Sequence, residues 1–545
     1  MNVKLIRTLI GGAILCLAIV GSFWRVTSRN VHAIASDRIK LRIGHPHLQS
    51  GMREAFDAAI ESYQRLHPNV SVAQVAVPQR IYPIWARTQL VGGTAVDILS
   101  AFNLPDPTRH FVSLTPWLDE PNPYNAGTSL EGVAWRDTFF DGLSSQLSLS
   151  EDVYAVMLQT VSHSLFINVE LLREITGSDE GLPRDFDDLR NLAKQVRDYN
   201  QRTGKHIVPI ASCRPYANVT FAKMLRSLTQ KLVRDHSPNR TMSLPELDRL
   251  ILDGTFSYSQ TPEFIRSLEL MSEISQMFTP GFLQFEHEDA IATYIQQRSL
   301  MVIAGTWDYG TLEKNAPFDT RALPVPTPSP SDHHYGQFTL GQVAESPTND
   351  GILGIMRTSP NREAALDFLR YLSSQPVAEQ FSKISQRLSA IVDTPIPPNL
   401  EQLRTTNEGE VHGFRVDVLG ANANTLINRH IHLVIGLQPD IPKFAERVDA
   451  EITPYIRQDI AAQLRNLKRG IRDLDSSLAL RLTLPESKPE PRATWTLYAE
   501  QQHKRQYDWL SPSLHSKPLK RKITSLTVGS SGGRALLGYM SALSK

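Results

Sequence analysis

The sequence predicts an α/β protein with more than one domain, on three observations. From Leu41 to Leu99 the chain alternates the signatures of strand, helix, strand, helix and strand, which is the nucleus of a parallel open sheet. It has 545 residues, 41% of them hydrophobic and 21% charged, enough to build two or three separate cores. Of its two cysteines, Cys16 falls in the leading apolar segment and Cys213 stands alone in the body, so no intramolecular disulfide holds the body together and the fold must rest on packing. A net charge of +1 gives no overall basic field of the kind a nucleic-acid binder presents, and none is expected as a partner.

In chain order, Lys4 and Arg7 precede the apolar run Thr8 to Trp24, the layout of a secretory signal. Ala33-Ile-Ala35 offers a small-residue cleavage site, with Ser36 as the first mature residue. The run is also long enough to remain as a membrane anchor, and Arg25 and Arg29 after it complicate cleavage. Residues 1–35 are therefore read as a signal peptide or N-terminal anchor, with membrane association through residues 8–24 in the second case. The bulky Leu15 before Cys16 argues against a lipid anchor there.

Leu41-Arg-Ile43 alternates as a strand does. Met52, Phe56, Ala59, Ile60 and Tyr63 then recur at helical spacing with polar residues between them, and His67-Pro68-Asn69 stops that helix. Val70, Val72, Val75 and Val77 give a second strand with an irregularity. Tyr82, Trp85, Ala86, Gln89 and Leu90 give a second helix ending at Gly92-Gly93, and Asp97-Ile-Leu99 returns to the sheet. An open sheet of this kind takes ligands at the carboxyl ends of its strands, which points to the loops His45–Ser50 and Ser100–Asp106.

These words, GMREAFDAAIESYQRLHPNVSV followed by RTQLVGGTAVDIL, resemble the opening of bacterial extracellular solute-binding proteins of the maltodextrin-binding type, the substrate-binding proteins of ABC transporters. VYAVMLQTVSHSLFINVELL resembles the family's strand pair that crosses between lobes. SLMVIAGTWDYG resembles its signature ending in a ligand-facing aromatic, and SPNREAALDFLRYLSSQPVAEQF resembles its return helices. The resemblance spans roughly residues 40 to 480 in the family's order.

It implies a two-lobed periplasmic-binding-protein fold, type II-like, with discontinuous lobes, a helical C-terminal extension and a solute held as the lobes close. Lobe 1 would take residues 36–159 plus 341–391, and lobe 2 residues 160–340 plus 392–484. Residues 485–545 would form a Pro-containing linker and a basic tail. The implied function is non-enzymatic capture of a small solute, a carbohydrate, and delivery to ABC transporter permease subunits in the periplasm or another extracytoplasmic space, with no cofactor and no metal. The Pro-rich Pro324 to Asp332 cannot be regular helix and reads as a semi-rigid connector or an exposed loop.

A sugar's apolar faces stack on aromatic rings while its hydroxyls need paired donors and acceptors. The resemblance places such a ring at Trp307, after the strand Leu300-Met-Val-Ile303 and Gly305; a half-buried Trp filling the core is the structural alternative. Phe102 and Asn103, and His45 and His47, fall where the family contacts solute from its first lobe. The charged pair of maltodextrin binders is missing near Phe102, and Val161 stands where that branch carries an acid, which puts maltodextrin itself in doubt. Gln159, Ser162 and His163 are the polar residues nearby. Arg80, beside Tyr82 and Trp85, and Tyr335, with Phe338, complete the candidates, although Trp85 reads as a packing residue.

Other chemistries find less support. His45-Pro-His47, His333-His334 and His430-Ile-His432 have generic metal spacing, without an HExxH or clustered carboxylates. Gly529-Ser-Ser531-Gly-Gly533 matches a nucleophile elbow in form, but no Asp, Glu or His follows Ser531, as that hydrolase order requires. Ile460, Leu464, Leu467, Ile471, Leu474 and Leu478 step as a heptad seam, which packs on its own domain or forms a partner surface. Residues 511–545 carry six Lys or Arg and no acid, read as a disordered basic tail. A sensory or scaffolding role, with a retained anchor and the heptad seam contacting a partner, remains the alternative to feeding a permease.

Overall fold

The structure is a computed structural model. It describes residues 38–104, 107–147, 152–236, 244–345, 347–405, 413 and 420–483. The export segment, the Gly/Ser turn at 529–533, the Pro-containing linker and the basic tail lie outside them, as do the last two residues of the loop expected to end at Asp106.

The chain begins with β1 (Ile39–His45), α1 (Met52–Leu66), β2 (Val70–Ala76), α2 (Tyr82–Gly92) and β3 (Ile98–Ser100). Helix α1 buries Met52, Ala55, Phe56, Ala59, Ile60 and Tyr63, the stripe its spacing foretells. It starts at Gly51, whose φ of 86° is left-handed and whose Cβ would meet the Ile384 carbonyl oxygen at 2.4 Å, so glycine is needed twice over. Pro68 disfavours helical backbone at His67, and α1 ends there. Helix α2 carries Pro83 in its first turn and closes on Gly93 at φ 65°, whose N–H donates to the Gln89 carbonyl.

Next come β4 (Gln159–Val161), β5 (His163–Asn168), α3 (Val169–Thr176), α4 (Phe186–Thr203), β6 (Val208–Ala211), α5 (Arg214–Leu228), α6 (Leu244–Leu252), α7 (Pro262–Ser275), β7 (Ser299–Gly305) and β8 (Thr320–Pro324). The return is β9 (Thr348–Asp350), β10 (Leu353–Ile355), α8 (Arg362–Leu372), α9 (Gln375–Ser385) and β11 (Leu388–Ser389), and the described chain closes with α10 (Ala421–His430) and α11 (Ile441–Thr483).

The chain forms two compact units: one runs to Thr160 and resumes over Asn349–Ile396, and the other takes Val161–Thr348 and the residues from Pro397. The first holds a four-stranded sheet in the order β10-β3-β1-β2, with β1 parallel to β2 and β3, and β10 antiparallel at the edge. Its core includes Leu41, Ile43, Phe56, Tyr63, Trp135, Phe139, Leu369 and Phe381. Strand β4 also pairs antiparallel with β11.

The second unit holds the sheet β6-β7-β5-β8, with β6 parallel to β7 and β5 antiparallel to both its neighbours. Every residue of β7 is buried, the mark of a central strand covered on both faces. Leu165, Ile167, Phe186, Leu225, Phe264, Ile303 and Phe444 are part of the core around it. Along α11, Phe444, Val448, Ile452, Ile456 and Ile460 step by four into that core and Leu464 packs beside them, so the described start of the heptad seam lies on its own unit. Its residues from Leu467 on have no described side chains.

The Pro-rich segment packs its middle into the second unit, while Pro324, Pro330 and Ser331 are exposed. Val325 to Pro328 are buried in the second unit, where the Thr327 hydroxyl donates to Gln342 Oε1 at 2.8 Å and the Ser329 hydroxyl donates to Asp185 at 3.0 Å.

Candidate ligand site

In the second unit the strongest arrangement forms where β7 ends. Residue Gly305 faces His163 across the antiparallel β5–β7 ladder, so the register sets His163 beside the turn that carries Trp307. That turn is tied down reciprocally: the Thr306 N–H donates to the Ser162 carbonyl at 2.9 Å, and the Ser162 N–H donates to Thr306 Oγ1 at 3.0 Å. The Trp307 ring folds back over Gly305, where any Cβ would lie 2.1 Å from it. Only glycine lets the indole occupy that place. The ring is half-buried, and the His163 imidazole meets it edge-on with centroids 5.0 Å apart. Burial, with the Lys223 charge adding to it, lowers the His163 pKa to about 4, so this imidazole is neutral at pH 7.

Two further pairs involve side chains of α5, and one of them reaches the turn. Asp308, buried, accepts a hydrogen bond from the Tyr216 hydroxyl, and burial together with that carboxylate raises the phenol well above its ordinary range. Lys223 on α5 forms an ion pair with Glu345. Neither pair was anticipated from the sequence. Lys223 left one signal, a lone charge inside the apolar run Phe221-Ala222-Lys223-Met224-Leu225, whereas nothing local marks Glu345. Cys213, at the start of α5, is a buried free thiol that burial pushes up to about 12, which makes it inert.

The first unit treats its candidates differently. His45 is fully buried, stacked on Phe56 with centroids 4.4 Å apart, its Nε2 3.0 Å from Gln74 Oε1 and its Nδ1 accepting from the His47 N–H at 3.3 Å. Burial, with His47 and Arg53 adding to it against the Gln74 bond, lowers its pKa to about 3. His47 lies 3.8 Å from Asp350, itself paired with the buried Arg387. Both histidines are buried, and both are held by the fold.

Gln159 is buried with its Nε2 donating to the Ser385 hydroxyl at 2.6 Å. Phe102 is half-buried against the cluster of Val77, Tyr82 and Leu99, while Asn103 is exposed with φ 52°, a left-handed conformation that asparagine tolerates. Arg80 is exposed and Trp85 packs on Tyr82 with centroids 5.7 Å apart.

Tyr335 is buried in the core of the second unit, its ring near Phe186 and its hydroxyl donating to Glu273 at 3.0 Å. Its partner candidate Phe338 packs against the same core. Among the described residues no group of three or more His, Cys, Asp or Glu side chains is placed to hold a metal ion. Among them, too, no helix is long and apolar enough to cross a membrane.

A family model described as bacterial extracellular solute-binding protein matches residues 70–400. No curated protein matches the chain. Among solved structures, a protein from work on xylan utilization by the thermophilic bacterium Caldanaerobius polysaccharolyticus is similar at TM-score 0.55 and 15% identity, covering 76% of this chain and 100% of its own. The solute-binding protein RafE in complex with raffinose is similar at TM-score 0.54 and 14% identity, over 77% of this chain and 100% of its own. The GacH receptor of Streptomyces glaucescens, solved unliganded and with acarbose, is similar at TM-score 0.54 and 15% identity, over 77% of this chain and 99% of its own.

Proposed function

The chain belongs to the bacterial extracellular solute-binding proteins, and from that premise we propose that it captures a small carbohydrate outside the cytoplasm and delivers it to an ABC-type permease. The observation that carries this reading is the Trp307 indole, half-exposed and held over Gly305 by the tied turn Thr306–Asp308. A fixed aromatic face beside a neutral imidazole matches what a sugar offers, an apolar ring face with polar edges. Structures of like fold hold raffinose and acarbose, which supports the same solute class here. Phe102 and Asn103 are the first unit's proposed contributors, since the fold leaves Phe102 half-buried and Asn103 exposed. Capture then works by selection: solute stabilises whichever conformation contacts it best, by its differential affinity for the two.

Export is assigned to residues 8–24, in a periplasmic or comparable space. A mature N-terminus at Ser36 means a cleaved signal, and retention of Met1 means a tethered receptor; N-terminal sequencing of the protein recovered from its host decides between them.

The function is tested by thermal-shift titration of the full chain against mono- and oligosaccharides, amino acids and polyols. A ligand at 100 times its Kd adds about 2.7 kcal/mol to stability, a readily measured shift. The expected result is stabilisation by a saccharide that Trp307→Ala abolishes while the protein stays folded. Stabilisation by amino acids alone, or by nothing in the set, overturns the carbohydrate assignment.

A further inference from the structure

Helix α2 covers one face of the first unit's sheet and leaves an apolar row outside. Tyr82 and Ala86 are buried in the cluster with Val77, Leu99 and Phe111, whereas Ile81 at the N-cap, Ile84 and Val91 are 48%, 69% and 92% exposed. With the exposed Thr88 these three step by three, four and three positions, so they share the outer face of the helix. Single exposed aliphatics are ordinary, but a row of them along an 11-residue helix points to a surface that is covered in use. The charge around the row has one sign. Arg80 and Arg87 are exposed beside it and form no ion pair among the described residues. Arg42 on β1 donates to the Ala95 carbonyl at 3.2 Å, which puts a third cation just beyond the end of α2. Between Glu61 and Asp97 the sequence holds no Asp or Glu. Asp97 itself, and Asp152, which is bonded to Tyr154 in the cluster beneath α2, are both buried.

An apolar row edged by arginines and free of acids suits the boundary of an anionic bilayer, where aliphatic groups leave water and guanidinium groups meet phosphate. The layout of the chain leads to the same partner. Strand β1 enters the sheet at Ile39, and Arg42 on that strand reaches the residue stretch that follows α2, so the chain enters this unit at the end of the sheet where α2 finishes. Residues 25–38 separate that point from the apolar run ending at Trp24, a span of about 50 Å at most when fully extended. Retained as an anchor, the run keeps α2 within reach of its own bilayer and raises the lipid concentration that α2 meets. We infer that the outer face of α2 docks on an anionic phospholipid surface, with Ile81, Ile84 and Val91 entering the headgroup layer and Arg80 and Arg87 meeting its phosphates. The contact is weak by itself and is completed by the tether, as two-signal membrane attachment requires. It gives the first unit a fixed side toward the membrane, whatever solute the protein takes.

The test uses the full chain carrying Cys16→Ser, with a polarity-sensitive fluorophore on Thr88→Cys, reconstituted into vesicles of phosphatidylcholine or of equal parts phosphatidylglycerol and phosphatidylcholine. Cys213 is buried and escapes the label. A second chain labelled at Glu54→Cys, exposed on α1 across the sheet, is the control. The label reports on α2 itself, so attachment through residues 8–24 or through the basic tail does not imitate the result. The expected result is a blue shift at Thr88→Cys in the phosphatidylglycerol vesicles alone, and none at Glu54→Cys. Ile84→Gln and Arg87→Glu replace exposed side chains and are expected to melt as the parent does, while each lowers the ratio of lipid-facing to water-facing label about tenfold. Equal shifts in the two kinds of vesicle, shifts at both labels, or variants that leave the shift unchanged overturn the inference. A shift that needs no vesicle and grows with protein concentration assigns the face to a second copy, and no shift in either vesicle assigns it to a protein partner; both overturn it. None of these outcomes bears on saccharide capture at Trp307, so the two readings fail separately.

Discussion

Each unit places histidine at one end of an interior strand, His45 at the carboxyl end of β1 and His163 at the amino end of β5 opposite the carboxyl end of β7, and surrounds it differently. In the first unit, His45 stacks on Phe56 and bonds Gln74, and His47 backs onto the Asp350–Arg387 pair. In the second, His163 stands edge-on to an indole that is still half-exposed. A strand's carboxyl end brings a side chain to the region where open sheets take ligands. Whether the side chain is free for a ligand depends on what else reaches it. The first unit's histidines are buried and held by neighbouring side chains, whereas the second unit's Trp307 ring is only partly buried.

The sharpest way to test that contrast is to break the first unit's polar core. Burial tends to raise the Asp350 carboxyl, but His47 and Arg387 outweigh it and hold the group below the usual carboxylate range. Arg387→Met leaves that carboxylate buried without its guanidinium, a loss worth about 3–5 kcal/mol in comparable buried pairs. Urea unfolding is expected to show a loss of this size for Arg387→Met and a smaller one for Trp307→Ala, whose ring is not fully buried. Equal losses would erase the distinction between a structural cluster and an available one.

That distinction also marks the limit of what the sequence discloses. The alternation at Leu41-Arg-Ile43 and the stripe from Met52 to Tyr63 are local, and they appear as β1 and α1. The word around Leu300 to Gly305 is local too, and it appears as the central strand β7. The fate of His47 depends on Asp350 and Arg387, some three hundred residues away, and no local pattern shows that. Tyr335 has the same difficulty with Glu273, and Lys223 with Glu345, which stands 122 positions further on. The Pro-rich stretch after Pro324 shows that it cannot be helix, but its burial rests on Gln342 and Asp185. Pattern and spacing find the elements, whereas long-range pairing decides which polar residues remain for function.

A pH series sharpens the comparison through groups with opposite signs. His45 and His163 titrate near 3 and 4 in the folded chain, below their ordinary 6.5, so acidification from neutral pH protonates the unfolded chain first and destabilises the fold. Asp248 on α6 works the other way. Both its oxygens are buried without a hydrogen-bond partner, and burial with the nearby Asp459 raises its pKa from 3.8 to about 7. Between about pH 4 and 7 the unfolded chain has lost that proton while the folded chain keeps it, so stability falls as pH rises, and the penalty is complete above 7. At ~1.4 kcal/mol per pKa unit its full size is on the order of 4 kcal/mol. Asp248→Asn is expected to raise the melting temperature at pH 8, the gain shrinking to little by pH 4, and to unmask a steeper acid loss from the histidines. A gain that is independent of pH would assign the effect to packing and remove Asp248 from the titration.

The smallest expected change in stability probes the available side alone. Gly305 has φ −75° and ψ 148°, a conformation any residue adopts, so Gly305→Ala costs the β7 backbone nothing. Its new methyl group falls within the present place of the Trp307 ring, which must swing away. Displacing a half-exposed ring is expected to cost about 1 kcal/mol or less, below the usual price of overpacking a closed core. Saccharide binding should nevertheless fall about as far as in Trp307→Ala, because the indole no longer lies against the turn that Ser162 and Thr306 fix. Calorimetric titration of Gly305→Ala beside its melting curve separates the two effects. Near-parent stability with lost binding shows that the position of the indole, and not its mere presence, makes the second unit receptive. Intact binding would move the contact elsewhere in that unit.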